Sequence, residues 1–192
     1  RKSDDSLSCL SNVCTHRANI IVHNPSEQKN LRCHYHGRKF NLDGKFKSMP
    51  DFEEAKNFPR DCENLKNFPV SRLGPFLFTS LEPEFNIQKI FDEIANRLSF
   101  FKFEKLVERP DLTAEHLVKA NWAIYCENYL DPFHIPFVHK ELTSVLDINQ
   151  YKTEIYDNYN LQIGYSKDDE DSFEIPEGNK DFGKKISAYY YW

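Results

Sequence analysis

Cys14-Thr15-His16-Arg17 and Cys33-His34-Tyr35-His36-Gly37 decide how this chain is read: C-x-H, sixteen residues, then C-x-x-H. Each segment sets one thiol and one imidazole close together at a tight turn, followed by Arg17-Ala18 in the first and closed by Gly37 in the second. Loops this short aim both side chains at one inorganic centre, and two such loops together close a four-donor site. The sequence around them alternates as short strands do, at 7–13, 19–23, 30–33, 38–41 and 76–81. Asn24-Pro25-Ser26 and Leu42-Asp43-Gly44 supply turns, the second with a hairpin signal. Pro50, Pro59 and Pro69 punctuate 48–70, a stretch that no helix crosses. The first part of the chain therefore reads as a small antiparallel β domain built around a donor set.

The order of the donors narrows the metal. Zinc fingers usually keep like ligands together, C-x2–4-C with H-x3–5-H. Here each loop gives one Cys and one His, which matches a Rieske [2Fe–2S] cluster, where two Cys hold one iron and two His the other. Neutral imidazoles in place of thiolates make such a cluster less negative and raise its reduction potential. A zinc-binding structural module remains the alternative reading of the four residues.

Beyond Glu82-Pro83-Glu84 the pattern changes. Ile87, Ile90, Phe91, Ile94 and Leu98 fall on one helical face, so 85–98 is expected to be an amphipathic helix. Residues 101–109 alternate like a strand, 113–130 suit a helix with Thr113 or Asn121 near its start, and 151–166 and 183–192 alternate again. Asp168-Asp169-Glu170-Asp171 reads as a solvated loop. Between these lies Glu127-Asn128-Tyr129-Leu130-Asp131-Pro132-Phe133-His134-Ile135-Pro136-Phe137-Val138-His139. A helix interrupted near Pro136 can aim His134 and His139 at one ion, and two His with a carboxylate form the facial triad of non-haem Fe(II) oxygenases. Asp131, three residues before His134, offers a carboxylate to orient that imidazole. The competing reading is a His pair on a buried aromatic helix.

The first motif, with the following Phe40-Asn41-Leu42-Asp43-Gly44, resembles the Rieske domain of the Rieske non-haem iron oxygenases. These are the large (alpha) subunits of ring-hydroxylating dioxygenases and their monooxygenase relatives. Asn128-x-x-Asp131-x-x-His134-x4-His139 resembles the catalytic-domain motif of the same family, in the same order along the chain. By position, the resemblance makes Cys14 and Cys33 ligands of one cluster iron and His16 and His36 ligands of the other. His134 and His139 become ligands of the mononuclear iron. Asp131 matches the carboxylate that bridges to a cluster-ligating His of the neighbouring subunit, and Asn128 a polar residue of the iron pocket. Two positions depart from the pattern without touching a ligand: His34 stands where Pro is usual, and Ala18 where Gly is frequent. The third iron ligand of the family, an Asp or Glu, lies well over a hundred residues past the second His. Only 192 − 139 = 53 residues follow His139, so no third ligand is assigned, to Asp147 and Asp157 no more than to others.

The implied fold class is α+β: a small antiparallel β Rieske domain at 1–82, then the first part of an α+β, helix-grip-like catalytic domain at 83–192. The chain is expected to be a piece of a longer protein, because it opens directly into a strand and closes on Ile186-Ser187-Ala188-Tyr189-Tyr190-Tyr191-Trp192, an uncapped apolar edge. The implied activity passes electrons from the cluster to the mononuclear iron, which activates O2 and hydroxylates an organic substrate, an arene or a choline-like quaternary ammonium compound. The implied partners are a ferredoxin or flavin reductase as electron donor and, for the full-length protein, further subunits in a homotrimer or α3β3 assembly. A Rieske-type electron carrier without oxygenase activity is the second reading, but it leaves 113–142 unexplained.

Composition leaves a soluble, aromatic-rich globular protein, with 16 Phe and 10 Tyr. Twenty-five Lys+Arg against thirty Asp+Glu give a net charge of −5, which argues against nucleic acid as a partner. No apolar run approaches the ~20 residues of a membrane span. Five cysteines, an odd and scattered set, make a poor disulfide framework and favour a reducing, cytoplasmic setting or metal ligation.

Overall fold

The computed structural model describes residues 4–192, so Arg1, Lys2 and Ser3 of the expected first domain lie outside the described residues. By its contacts the chain divides into two units, one ending at Ala95 and one beginning at Asn96.

In the first unit the strands are short: β1 (Cys9–Leu10), β2 (Leu31–Arg32), β3 (Lys39–Phe40), β4 (Phe46–Ser48), β5 (Asn67–Phe68), β6 (Val70–Leu73) and β7 (Phe76–Thr79). All pairings are antiparallel: β1 with β5, β2–β3–β4 in sequence, and β6 with β7. The 7–13 and 19–23 strands contract to β1 and one bridge, Val13 to Ile20, because the chain between them is a loop. The β3–β4 turn needs Gly44, whose φ is +86° and where a Cβ would lie 2.9 Å from the Leu10 side chain. Cys14, Ile21, Cys33, Phe40 and Leu65 form the core, with Leu10, Val22 and Leu31 against it. The two motif cysteines are thus at the centre of the unit.

Helix α1 (Ile87–Arg97) buries Phe91 and Ile94 and ends across the boundary between the units. In the second unit the expected strand at 101–109 is instead a pair of tight turns, with 3-10 segments at Phe103–Lys105 and Pro110–Leu112. Phe101 and Phe103 pack edge to face at 4.9 Å in these turns. The expected helix 113–130 is realised only as α2 (Trp122–Leu130), capped by the Asn121 side chain accepting from the Ala123 N–H. Leu117 and Val118 upstream are exposed, and without a surface to bury them propensity alone does not hold a helix. Two short helices follow, α3 (Ile135–Val138) and α4 (Lys140–Val145).

Strands β8 (Lys152–Ile155), β9 (Asn160–Tyr165) and β10 (Ile186–Tyr191) form an antiparallel sheet with β9 central. Leu161 and Ile163 project from one face into a core with Ile175, Ile186 and Phe173. Gln162, between them, projects from the other face, as the period-two geometry of a strand requires. A long-range polar lock is also here. Arg97, at the end of α1, binds both Glu154 of β8 and the fully buried Asp181, which also takes Lys184 and Tyr189. Among the described residues no helix is long and apolar enough to cross a membrane.

Candidate metal centres

The two C-x-H and C-x-x-H segments fold into the same loop. The N–H of Cys14 donates to the Asn19 carbonyl at 2.8 Å, and that of Cys33 to the Arg38 carbonyl at 2.8 Å. The N–H of Ala18 donates back to Cys14 at 2.9 Å, and that of Gly37 back to Cys33 at 3.1 Å. Each loop closes on a residue in the left-handed region, Ala18 at φ +54° and Gly37 at φ +72°. The flanking residues pair across each loop, Val13 with Ile20 and Arg32 with Lys39. Two equivalent hairpins therefore present their donors side by side.

The donors sort by type. Cys14 and Cys33 are both buried in one core cluster, while the His16 and His36 rings meet edge to face with centroids 4.7 Å apart. Among the described residues no three His, Cys, Asp or Glu side chains converge tightly enough to hold a single ion. A thiol pair in the core and an imidazole pair beside it match the sorting of donors in a Rieske group, two Cys on one iron and two His on the other. His16 Nδ1 is buried with no hydrogen-bond partner, a lone pair set aside for a ligand. Burial lowers the pKa of His16, and the charges of His36 and Arg38 lower it further, so it is held neutral, the form that binds metal. Burial pushes the Cys33 thiol up. The backbone N–H groups of Tyr35 and His36 and the Asn19 amide, at 3.7 Å from Sγ, outweigh it and hold the group low, toward thiolate. Cys9, Cys62 and Cys126 are free thiols outside this arrangement, and His34 is exposed beside it.

The second motif lies at the end of α2 and across the break between α3 and α4. Five residues of regular helix would turn His139 roughly 140° away from His134. Pro136 sits in the first turn of α3, and the helix breaks at His139, which leaves helical geometry at φ −110°, ψ 72°. The two rings thereby meet at 5.2 Å between centroids. Asp131 caps the end of α2, accepts from the Phe133 N–H at 2.8 Å, and places Oδ2 3.9 Å from His134 Nδ1, an ion-pair rather than a hydrogen-bond distance. Asn128, Asp131, His134 and His139 all line one cavity of about 700 Å³, with Tyr125, Tyr129, Tyr151 and Tyr190 on its walls. Two imidazoles on a cavity fit one half of a mononuclear iron site. Among the described residues no carboxylate joins them closely enough to complete it.

Three contributors were invisible from sequence. Gln162 reads as a solvent-facing strand residue but is buried, accepting from Tyr151 at 2.7 Å and donating to the Leu130 carbonyl at 2.9 Å. Arg38 and Glu63 form a buried ion pair beside the first loops. Nothing in their spacing announces it, since 25 residues separate them.

Such a donor set on such a β scaffold defines an iron–sulfur protein of the Rieske class, followed by a second, His-based centre. The comparisons with known proteins go further. The Rieske [2Fe-2S] domain profile matches residues 1–67, and that of the ring-hydroxylating alpha subunit catalytic domain matches 103–180. The chain is 28% identical to choline monooxygenase of Beta vulgaris over 91% of its own length and 40% of that protein. It is 28% identical to the carnitine monooxygenase oxygenase subunit of Escherichia coli K12, over 93% of its own length and 48% of the relative. In fold it is similar to a quaternary ammonium Rieske monooxygenase that oxidises carnitine, at TM-score 0.66 and 20% identity, over 91% of this chain and 48% of that one. Naphthalene 1,2-dioxygenase is similar at TM-score 0.60 and 22% identity, over 86% and 42%. The chain thus carries a Rieske [2Fe-2S] domain followed by a stretch of the ring-hydroxylating alpha subunit catalytic domain, and it spans under half the length of these relatives. The cofactors of that family are the Rieske [2Fe–2S] cluster and a mononuclear non-haem iron.

Proposed function

We propose that this chain works within a Rieske oxygenase that hydroxylates a small organic substrate, with residues 1–82 as the cluster domain and 83–192 as part of the catalytic domain. The observation that carries the reading is the sorted donor set: a buried thiol pair, an imidazole pair, and the unpartnered His16 Nδ1 between two equivalent hairpins. Cys14, Cys33, His16 and His36 would hold the cluster, and His134 and His139 the mononuclear iron. When bound, the two groups supply single electrons and an O2-binding position. The protein's own contribution is to hold His16 neutral, to aim both imidazoles of the second site into one cavity, and to place Asn128 and Asp131 on its wall.

Within the class, the substrate we favour is a quaternary ammonium compound rather than an arene. Choline and carnitine monooxygenases are among the relatives, and four tyrosines on the cavity wall offer faces for cation–π contact. A ferredoxin or flavin reductase would supply the electrons, and a trimer, with or without a second subunit type, would let Asp131 serve a neighbour's cluster. The odd, scattered cysteine set, with Cys14 and Cys33 assigned to the cluster, makes a poor disulfide framework and supports a cytoplasmic setting.

The test is EPR with iron and sulfide analysis on the reconstituted chain. A Rieske-type signal that disappears in His16→Ala and His36→Ala, and persists when Cys9, Cys62 and Cys126 are replaced by Ser, is the expected result. A colourless protein carrying zinc, or a signal that survives loss of His36, overturns the assignment.

A further inference from the structure

We propose that Arg38 and Glu63 are positioning residues that tie the two cluster hairpins together and set the cluster's reduction potential from opposite sides, a proposal that rests on the cluster assignment above. Arg38 follows the second hairpin and is 2% exposed, the largest side chain so deeply buried. Its Nη1 donates to Thr15 Oγ1 at 2.8 Å, and Thr15 is the residue between Cys14 and His16 in the first hairpin. Its Nη2 donates to Glu63 Oε2 at 2.6 Å, and the Thr15 hydroxyl donates to the Glu63 carbonyl at 2.8 Å. One closed polar triangle therefore joins both hairpins to the segment at Asp61–Glu63. The rings of Phe40, Phe46 and Phe58 surround the guanidinium at 5.0 to 6.0 Å.

A guanidinium in such a place is expensive. Desolvating an ion costs several kcal/mol, and an apolar residue of similar volume would often hold a core at least as well. A polar triangle is thus a poor choice for packing alone. It does put a full positive charge and a full negative charge into a dry region beside a group whose charge changes by one electron. In low dielectric those charges act strongly on that change. Arg38 favours the reduced, more negative cluster, and Glu63 disfavours it. Arg60 adds a second bond to Glu63 at 2.9 Å but is exposed, so water screens its charge.

The consequence is a pair of shifts of opposite sign. Arg38→Gln removes the cation and lowers the midpoint potential. Glu63→Gln removes the anion and raises it. Each changes the equilibrium constant for one-electron reduction by about tenfold, which is about 59 mV. Arg38→Lys keeps the charge and stays near wild type, and the Arg38→Gln/Glu63→Gln double variant returns toward it. The measurement is a spectroelectrochemical titration of the cluster-loaded chain. If Arg38→Gln does not assemble a cluster, the upward shift in Glu63→Gln with an unshifted Arg38→Lys carries the proposal. Shifts of the same sign, or none in Glu63→Gln, overturn it while leaving the cluster assignment intact. A wild-type chain with no Rieske spectrum overturns both.

Discussion

The side-chain amide of Gln162 donates to the backbone carbonyl of Leu130 at 2.9 Å, so the central strand of the sheet holds the last residue of α2, immediately before Asp131. The other end of the same amide accepts from Tyr151, whose phenol burial pushes up to about 12. That phenol stays a donor at any physiological pH. A single buried side chain thus relays the rigid sheet to the segment that carries Asp131 and His134.

Replacing Gln162 by Leu should therefore act twice. It leaves the Tyr151 hydroxyl and the Leu130 carbonyl buried without partners, at a cost of about 1–3 kcal/mol each. It also frees the end of α2, so iron affinity should fall more than cluster content. Urea denaturation and separate counts of mononuclear and cluster iron check this. Unchanged stability together with unchanged iron retention would show that Gln162 merely fills space.

Ala18 and Gly37 close equivalent hairpins in the left-handed region, but only Gly does so without strain. Ala18→Gly should stabilise the protein by roughly 0.5–1 kcal/mol, the strain relieved less the extra freedom of the unfolded chain. Gly37→Ala should destabilise it, because its Cβ would also meet the Pro50 ring at 3.3 Å. Denaturation midpoints of the two variants should move in opposite directions.

What the sequence disclosed follows from how local each signal is. C-x-H and C-x-x-H put the proposed donors and their turn in one segment, so Cys14, His16, Cys33 and His36 could be proposed together before any contact was known. The period-3.6 face of Ile87, Ile90, Phe91 and Ile94 likewise needs only neighbours, and α1 lies within the expected 85–98. Residues 101–109 alternate too, but a strand requires a partner to bond with, and there the chain turns instead. The same limit hid Gln162, since alternation cannot tell a solvent face from a face covered by a helix end. Arg38 and Glu63 were illegible for a related reason: charged residues are presumed exposed, and only tertiary packing makes an exception.

Arg97 gives a pH dependence with a definite sign. Its hydrogen bonds hold the Glu154 carboxyl well below the ordinary range, helped by Tyr156, Lys152 and Lys180. Burial pushes Asp181 up, but Lys184 and Arg97 outweigh it and hold it low. Folded values below the unfolded ones mean stabilisation present above about pH 4 and lost as pH falls through the depressed folded values. Arg97→Leu should thus cost about 3–5 kcal/mol at neutral pH, by stranding buried carboxylates. The gap to wild type should shrink on acidification to about pH 3, as the carboxyls protonate in the variant first. Urea midpoints at both pH values test it, and a gap independent of pH would assign the loss to packing alone.

Asp131 is the residue where geometry and proposed function meet most directly. Its carboxylate is half exposed, Oδ1 is engaged by the Phe133 N–H, and Oδ2 lies 3.9 Å from His134 Nδ1. One oxygen is therefore fixed locally while the other can accept from imidazole N–H groups, on His134 and, in the proposed oligomer, on a neighbour's cluster ligand. Such bonds orient a ligand and raise its basicity without coordinating metal. Asp131→Asn keeps the shape and the Phe133 contact but loses the charge. In the oligomeric holoenzyme it should leave the iron content of both centres near wild type and slow oxidation of the reduced cluster at least tenfold. His134→Ala, by contrast, removes a proposed ligand, so mononuclear iron should be lost while the cluster remains reducible and idle. Single-turnover cluster oxidation with O2 and substrate, run beside iron counting, separates the two outcomes. Wild-type oxidation rates in Asp131→Asn would reduce Asp131 to a cap on α2 and remove the inter-subunit route from this protein.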